Sequence, residues 1–285
     1  MRGSDHPEIG SQRPDGRIRP VADTDGATPL LLLHGLGMSA RVWDSVRAGL
    51  EPHHDVVAHT ILGHRGGSSA SSRPVLVDDL VDDVERILDT VGIGRPHVAG
   101  NSLGGWVAIE LARRGRALSV CALSPAGSWH AGTAEQAVGA RKLRTALRTA
   151  RLARPWGMSL AMRSALVRRF VFRDVAEHGE RLSAAQAIDA VDDLLGCTII
   201  DDILSTNEEI APLDALPCPV TLAWSGNDAI LPLAVNGEVA RARIPKATFV
   251  VLPGVGHVPI IDDPERVRAV ILQTTQQTSR FPKPS

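Results

Sequence analysis

Short apolar runs alternate with amphipathic stretches along most of the chain. "PLLLLHG" (29–35) is followed by "SARVWDSVRAGL" (39–50), "DVVAHTIL" (55–62) by "VLVDDLVDDVERILDTVG" (75–92), and "PHVAG" (96–100) by "LGGWVAIELARRG" (103–115). Continuous apolar runs of strand length suit strands buried on both faces, so the alternation predicts a mostly parallel sheet flanked by helices. In 75–92, Leu76, Leu80, Val84, Ile87, Leu88 and Val91 recur at helical spacing, with Asp and Glu on the other faces, which predicts a surface helix. "SVCALSP" (119–125), "CPVTLAWSG" (218–226) and "ATFVVLPG" (247–254) repeat the strand signal, with a helical piece near 233–243 between the last two.

The interval 126–210 carries helical patterns and no convincing strand, and is expected to be a helical cap inserted in a core made of 18–125 and 211–276. Residues 1–17 and 277–285, rich in small, polar and Pro residues, are expected to form a disordered lead-in and a flexible tail.

Composition adds limits. The net charge of −1 gives no general attraction to nucleic acid. Cys121, Cys197 and Cys218 are odd in number and far apart, with no C-x-x-C pair, so buried free thiols are expected rather than disulfides or a zinc site. No metal or organic cofactor is implied. The polar N-terminus lacks the apolar stretch of a secretory signal, and no segment approaches the ~20 apolar residues of a membrane span, so a cytoplasmic location is expected. There is no tyrosine, so hydroxyl chemistry falls to Ser or Thr.

One serine stands out. Gly100-Asn101-Ser102-Leu103-Gly104 fits G-x-S-x-G, in which a serine sits on a tight strand-to-helix turn with its hydroxyl exposed above the sheet; Gly100 and Gly104 supply the small flanks. A serine hydroxyl needs a base, and the base an orienting acid. His257, in "VVLPGVGHVPIIDDPERV", and Asp228, in "LAWSGNDAILP", each follow a predicted strand. The order Ser102, Asp228, His257 is that of the α/β-hydrolase fold. Leu36 and Leu103 N–H groups are the candidate oxyanion donors, and His34 with Gly35 shapes the loop that carries Leu36. The structural alternatives are a helix-capping role for Ser102 and rival carboxylates at Asp262 and Asp263, which sit before Pro264 and read as a helix start. Trp43 and Trp106 read as core; Trp129 and Trp156 are possible ligand contacts.

The chain thus resembles the α/β-hydrolase superfamily, in its branch of esterases, C–C bond hydrolases and cofactor-free haloperoxidase-like enzymes, through "HGLGMSARVW", "GNSLGGWVAIELA", "WSGNDAILP" and "PGVGHVPIIDDPE". It departs from the family pattern at Thr60, where an acid is usual, and at Ser225, where a glycine is usual. Serine at 102 argues against the haloalkane-dehalogenase and epoxide-hydrolase branches, whose nucleophile is a carboxylate. The resemblance implies hydrolysis of an ester or thioester through a Ser102 acyl-enzyme. C–C hydrolysis of a vinylogous diketone, perhydrolysis, and a non-catalytic ligand receptor on the same fold are the alternatives.

Residues 141–173 hold ten Arg or Lys and no acidic residue, with Arg141, Arg144, Arg148 and Arg151 on one helical side opposite Leu143, Leu147 and Ala150. This stretch suits an anionic substrate or an acidic membrane surface; a solvated cap face that offsets acidic surface elsewhere is the reading adopted. The expected partner is a small acyl substrate, with a homodimer as a further possibility.

Overall fold

The computed structural model describes residues 27–154 and 157–281. The expected lead-in 1–17 and residues 282–285 of the expected tail lie outside it, as does Trp156.

The chain opens with β1 (Pro29–Leu33), a 3-10 turn and α1 (Asp44–Leu50), then β2 (Asp55–His59) and α2 (Val77–Thr90). It continues through β3 (His97–Asn101), α3 (Leu103–Arg113) and β4 (Ser119–Leu123). A long excursion follows, with α4 (Ala134–Ala153), α5 (Met158–Ala161), α6 (Ala165–Phe172), α7 (Ala184–Leu195) and α8 (Ile200–Leu204), and among its described residues it contains no strand. Then come β5 (Val220–Ser225), α9 (Glu238–Arg243), β6 (Thr248–Leu252), α10 (Pro259–Asp262) and α11 (Pro264–Gln276). Gln277–Arg280, within the expected tail, continues α11 as a 3-10 turn.

The six strands form one parallel sheet in the order β2-β1-β3-β4-β5-β6. Its Leu-rich strands bury side chains on both sides. Leu31 and Leu33 join a core with Leu80, Val84 and Leu88 of α2 and Val107, Ile109 and Leu111 of α3. Leu30 and Leu32 face the opposite core, with Val46 and Leu50 of α1 and Val267 and Ile271 of α11. This two-sided burial is why β1 reads as a continuous apolar run. On α2, Leu80, Val84 and Leu88 of the expected stripe are buried and are joined by Val77 and Val81; Leu76 precedes the helix and is exposed, its N–H donating to the Asp79 carboxylate (2.8 Å).

Since β2 lies on one side of β1 and β3 on the other, the strand order reverses between β1 and β3, and crevices at the carboxyl ends of such sheets bind ligands. His34, Ser102, Asp228 and His257 all follow carboxyl ends, of β1, β3, β5 and β6. The helical excursion has its own small core of Ala150, Met158, Met162, Phe172, Ala187 and Val191. The three cysteines are buried and free, and burial pushes the Cys121 thiol up to about 12 and those of Cys197 and Cys218 up to about 11. Among the described residues no helix is long and apolar enough to cross a membrane.

Candidate active site

β3 ends at Asn101, and the chain turns into α3 through Ser102 at φ 54°, ψ −115°, a conformation that side chains other than glycine rarely adopt. Neighbouring backbone holds it there. The Ser102 N–H donates to the Leu123 carbonyl (2.9 Å), and the Ser102 carbonyl accepts from the N–H groups of Trp106 (3.1 Å) and Ala126 (3.0 Å). Such strain costs about 1–3 kcal/mol and persists only where the surroundings over-determine it. Ser102 occupies the N-cap position of α3, yet its hydroxyl makes no capping hydrogen bond. The helix-cap alternative therefore has no bond to support it.

The glycines follow from crowding. A Cβ on Gly100 would overlap the carbonyl of Gly104, and one on Gly104 the carbonyl of Leu33. A Cβ on Gly35 would come within 3.3 Å of the Ser102 Cβ.

Asp228 and His257 meet. His257 Nδ1 lies 2.8 Å from Asp228 Oδ2, and both side chains are buried. Asp228 Oδ1 also accepts from the N–H groups of Ile230 (2.9 Å) and Leu231 (2.7 Å). With Nδ1–H donating to the carboxylate, the other ring nitrogen is left as a proton acceptor. The loop around His257 is anchored on three further sides. Asn101 Nδ2 donates to the His257 carbonyl (3.0 Å), the Gly256 N–H donates to Asp262 Oδ2 (2.7 Å), and the Val258 N–H donates to the Val175 carbonyl (2.8 Å).

The rival carboxylates have other work. Asp263 caps α11 by accepting the Arg266 N–H (3.0 Å), as a helix start should. Asp262 is not part of that cap. It closes α10, is buried, and accepts the N–H groups of Gly256, Glu177 (3.0 Å) and His178 (2.7 Å), so it ties the His257 loop to the excursion.

His34 is fully buried, with Nδ1 2.8 Å from the Gly35 carbonyl and Nε2 accepting the Ile61 N–H (3.0 Å). Burial, together with His64 packed edge-on at 4.8 Å, holds its pKa well below the ordinary histidine value, so it is a neutral brace for the loop. Among the described residues neither the Leu36 nor the Leu103 N–H has a main-chain acceptor.

Gly35, Leu36, Asn101, Ser102 and His257 line one cavity of about 1120 Å³ between the carboxyl ends of the strands and the excursion. Leu143, Met158, Met162, Phe170, Val171 and Leu194 give it apolar walls; Arg41, Arg141, Lys142, Arg173 and Arg181 share its lining with Asp44, Asp174, Asp189 and Asp193, so its charge is mixed. Leu103 is buried and not part of this lining. Trp129 is not either; it packs edge-on against Trp106 and donates from Nε1 to the Glu208 carbonyl (3.1 Å). Thr60, where the resemblance led one to expect an acid, accepts the Ala40 N–H on its Oγ1 (3.1 Å).

Residues 30–270 match the profile of the alpha/beta hydrolase family. The chain belongs to the α/β-hydrolase family. This α/β-hydrolase is 31% identical over 196 residues to the epoxide hydrolase EphH of Mycobacterium tuberculosis, covering 67% of this chain and 91% of that protein. It is 29% identical over 253 residues to the dihydrolipoyllysine-residue acetyltransferase component of the acetoin cleaving system of Pseudomonas putida, covering 87% of this chain and 63% of that protein. An esterase from Thermogutta terrifontis shares the fold with a TM-score of 0.64 at 23% identity, over 88% of this chain and 90% of that one.

The bracing of the His257 loop by Asn101 and Asp262 escaped the reading of the sequence, which took Asp262 for a rival carboxylate or part of a helix start. Asn101 carried a signal, as the one amide side chain ending an otherwise apolar run beside the serine. Asp262 carried none that separated it from Asp263.

Proposed function

We propose that this enzyme is a serine hydrolase that cleaves a carboxylic ester or thioester with an apolar acyl group. The observation that carries the reading is the His257–Asp228 pair, 2.8 Å apart, beside a cavity that Ser102 also lines on its strained turn. Ser102 Oγ attacks the acyl carbonyl while the free ring nitrogen of His257 takes its proton, and Asp228 stabilises the imidazolium and fixes the tautomer. The Leu36 and Leu103 N–H groups hold the oxyanion. His257 returns the proton to the leaving alcohol or thiol, then activates water to release the acid. Loss of one oxyanion donor costs about 100- to 1,000-fold in rate. The helical excursion acts as a cap whose apolar wall receives the acyl chain.

The chemistry of a serine separates this reading from epoxide opening. An alkoxide that opened an epoxide would leave a stable ether on the enzyme, whereas a carboxylate leaves a hydrolysable ester. With Ser102 as the nucleophile and no tyrosine to act as phenol donor, acyl transfer is the reaction that turns over.

A fluorophosphonate probe with mass detection tests the proposal. The wild type is expected to take one label on Ser102, and Ser102→Ala none. An unlabelled wild type, or equal labelling of the variant, overturns it. A p-nitrophenyl ester series then reads acyl length, and a ring-fission dienoate is expected not to turn over.

A further inference from the structure

The excursion carries exposed apolar and basic side chains that the catalytic reading uses only in part: Leu152, Leu160 and Leu166 lie outside the cavity lining, whereas Phe170 and Val171 also line it. Five of the nine large apolar side chains exposed among the described residues fall between 152 and 171: Leu152 (75% exposed), Leu160 (69%), Leu166 (79%), Phe170 (66%) and Val171 (44%). Isolated exposed leucines are ordinary, but this concentration on the end of α4, α5 and α6 is not. The same stretch is uniformly basic. Arg148, Arg151 and Arg163 are exposed and, among the described residues, have no carboxylate partner, while Arg173 lies 4.1 Å over the Phe170 ring. A solvated face that offsets acidic surface accounts for Arg154, paired with Asp192 at 2.6 Å, and for Lys142, paired with Asp174 at 3.3 Å. It does not account for the leucines beside the unpaired arginines.

We infer that this face docks on an anionic lipid bilayer. Apolar side chains that enter the acyl boundary, with basic residues at headgroup level, are the physical signature of an interfacial segment. A second copy of this chain is the poorer occupant, because a two-fold contact through this face would press one basic surface against another. The location gives docking a consequence. Val167, Phe170 and Val171 belong both to α6 and to the wall of the cavity that Ser102 lines, so docking through α6 sets the bilayer beside the cavity that an amphiphilic acyl substrate enters. That last step rests on the serine-hydrolase reading; docking itself does not.

The test uses the full chain as Ser102→Ala, so that no lipid is consumed, in sedimentation with phosphatidylglycerol-containing or pure phosphatidylcholine vesicles. Binding is expected to the anionic vesicles alone and to weaken at high salt. Each basic residue at an anionic surface contributes about fivefold, so replacing Arg148, Arg151 and Arg163 by Gln lowers partition about 100-fold. Leu160→Ser/Leu166→Ser also abolishes binding, while turnover of a soluble short ester in the otherwise wild-type chain stays the same, since neither side chain lines the cavity. No binding to anionic vesicles, equal binding to neutral ones, or a dimer in solution that the leucine variant dissolves would each overturn the inference. Should the fluorophosphonate probe fail to label Ser102 while vesicle binding persists, only the catalytic reading falls.

Discussion

Asn101 Nδ2 donates to the main-chain carbonyls of His257 (3.0 Å) and Leu123 (3.2 Å), so the residue beside Ser102 holds the His257 loop and the end of β4 together. Two carbonyl acceptors fix which way the amide points, since a flipped Asn101 would set its oxygen against theirs. Asn101→Ala removes both bonds inside the core and is expected to cost about 1–3 kcal/mol of stability. If His257 is the base of the proposed serine hydrolase, loosening it acts on the chemical step, so kcat is expected to fall about tenfold or more with KM little changed. A variant with wild-type kcat and a raised KM would show that Asn101 serves substrate binding instead.

The strain at Ser102 predicts an order of stabilities. Ser102→Ala keeps a Cβ at φ 54°, whereas Ser102→Gly relieves it. Relief of about 1–3 kcal/mol outweighs the roughly 0.5–1 kcal/mol of chain entropy that glycine adds to the unfolded state. Both variants are expected to be inactive, with Ser102→Gly melting higher. The reverse order of melting temperatures would mean that the turn stores no usable strain.

Gly100 and Gly104 meet backbone rather than flexible side chains, so a methyl group at either has nowhere to go. Gly100→Ala and Gly104→Ala are expected to destabilise by about 3 kcal/mol or more, at the upper end of overpacking costs. Gly94, with nothing within 4 Å of its would-be Cβ, is the control, and Gly94→Ala is expected to be neutral. Chemical denaturation of the three variants separates crowding from a general intolerance of substitution.

How much of this was legible in the sequence follows from what each signal depends on. β1 and β3 were visible because burial on both faces leaves runs such as Leu30–Leu33 with no polar interruption. The G-x-S-x-G turn was visible because hard-sphere contacts at Gly100 and Gly104 admit one residue type, and the meeting of Asp228 with His257 followed from strand order. Leu76 was read onto the buried stripe of α2 because it stands four residues before Leu80, yet it precedes the helix and is exposed, its N–H donating to the Asp79 carboxylate. Asp262 and Asp263 are chemically alike and adjacent; which of them binds Gly256 depends on the folded path of the loop. The exposed leucines of α5 and α6 were invisible for a similar reason, since periodicity shows which residues share a face but not whether another element covers it.

Acid should weaken the fold through its buried histidines. Burial lowers the pKa of His64 and of His97 to about 4 and takes that of His34 well below 6.5, so all three are neutral in the folded chain at neutral pH. Between pH 6.5 and about 4 the unfolded chain binds more protons than the folded one, so the stability these groups contribute is fully present above 6.5 and lost as pH falls through that window. His97→Gln removes one such group from a site where its Nδ1 meets the Ser119 hydroxyl (2.8 Å) and its ring faces His54. Urea unfolding of this variant is expected to show a shallower loss with acid than the wild type. Equal slopes would place the proton uptake elsewhere.

Asp193 of α7 joins the excursion to the core. Its carboxylate accepts from Ser39 Oγ (2.6 Å), from Arg41, and from Arg65 Nη1 (3.1 Å), and it is buried while the two arginine side chains are 48% and 43% exposed. Solvent screens charges that are half exposed, so the ion pairs contribute little and the buried bond to Ser39 carries most of the attachment. Asp193→Asn keeps an oxygen for Ser39 and is expected to cost less than about 1 kcal/mol. Asp193→Ala leaves the Ser39 hydroxyl buried without its acceptor, which costs about 1–3 kcal/mol and loosens α7 over the cavity. The alanine variant should therefore show a raised KM for long acyl esters and faster proteolysis between β4 and β5, with the asparagine variant close to wild type. If the two variants are equally impaired, the negative charge, and with it the arginine pairs, is what holds the excursion down.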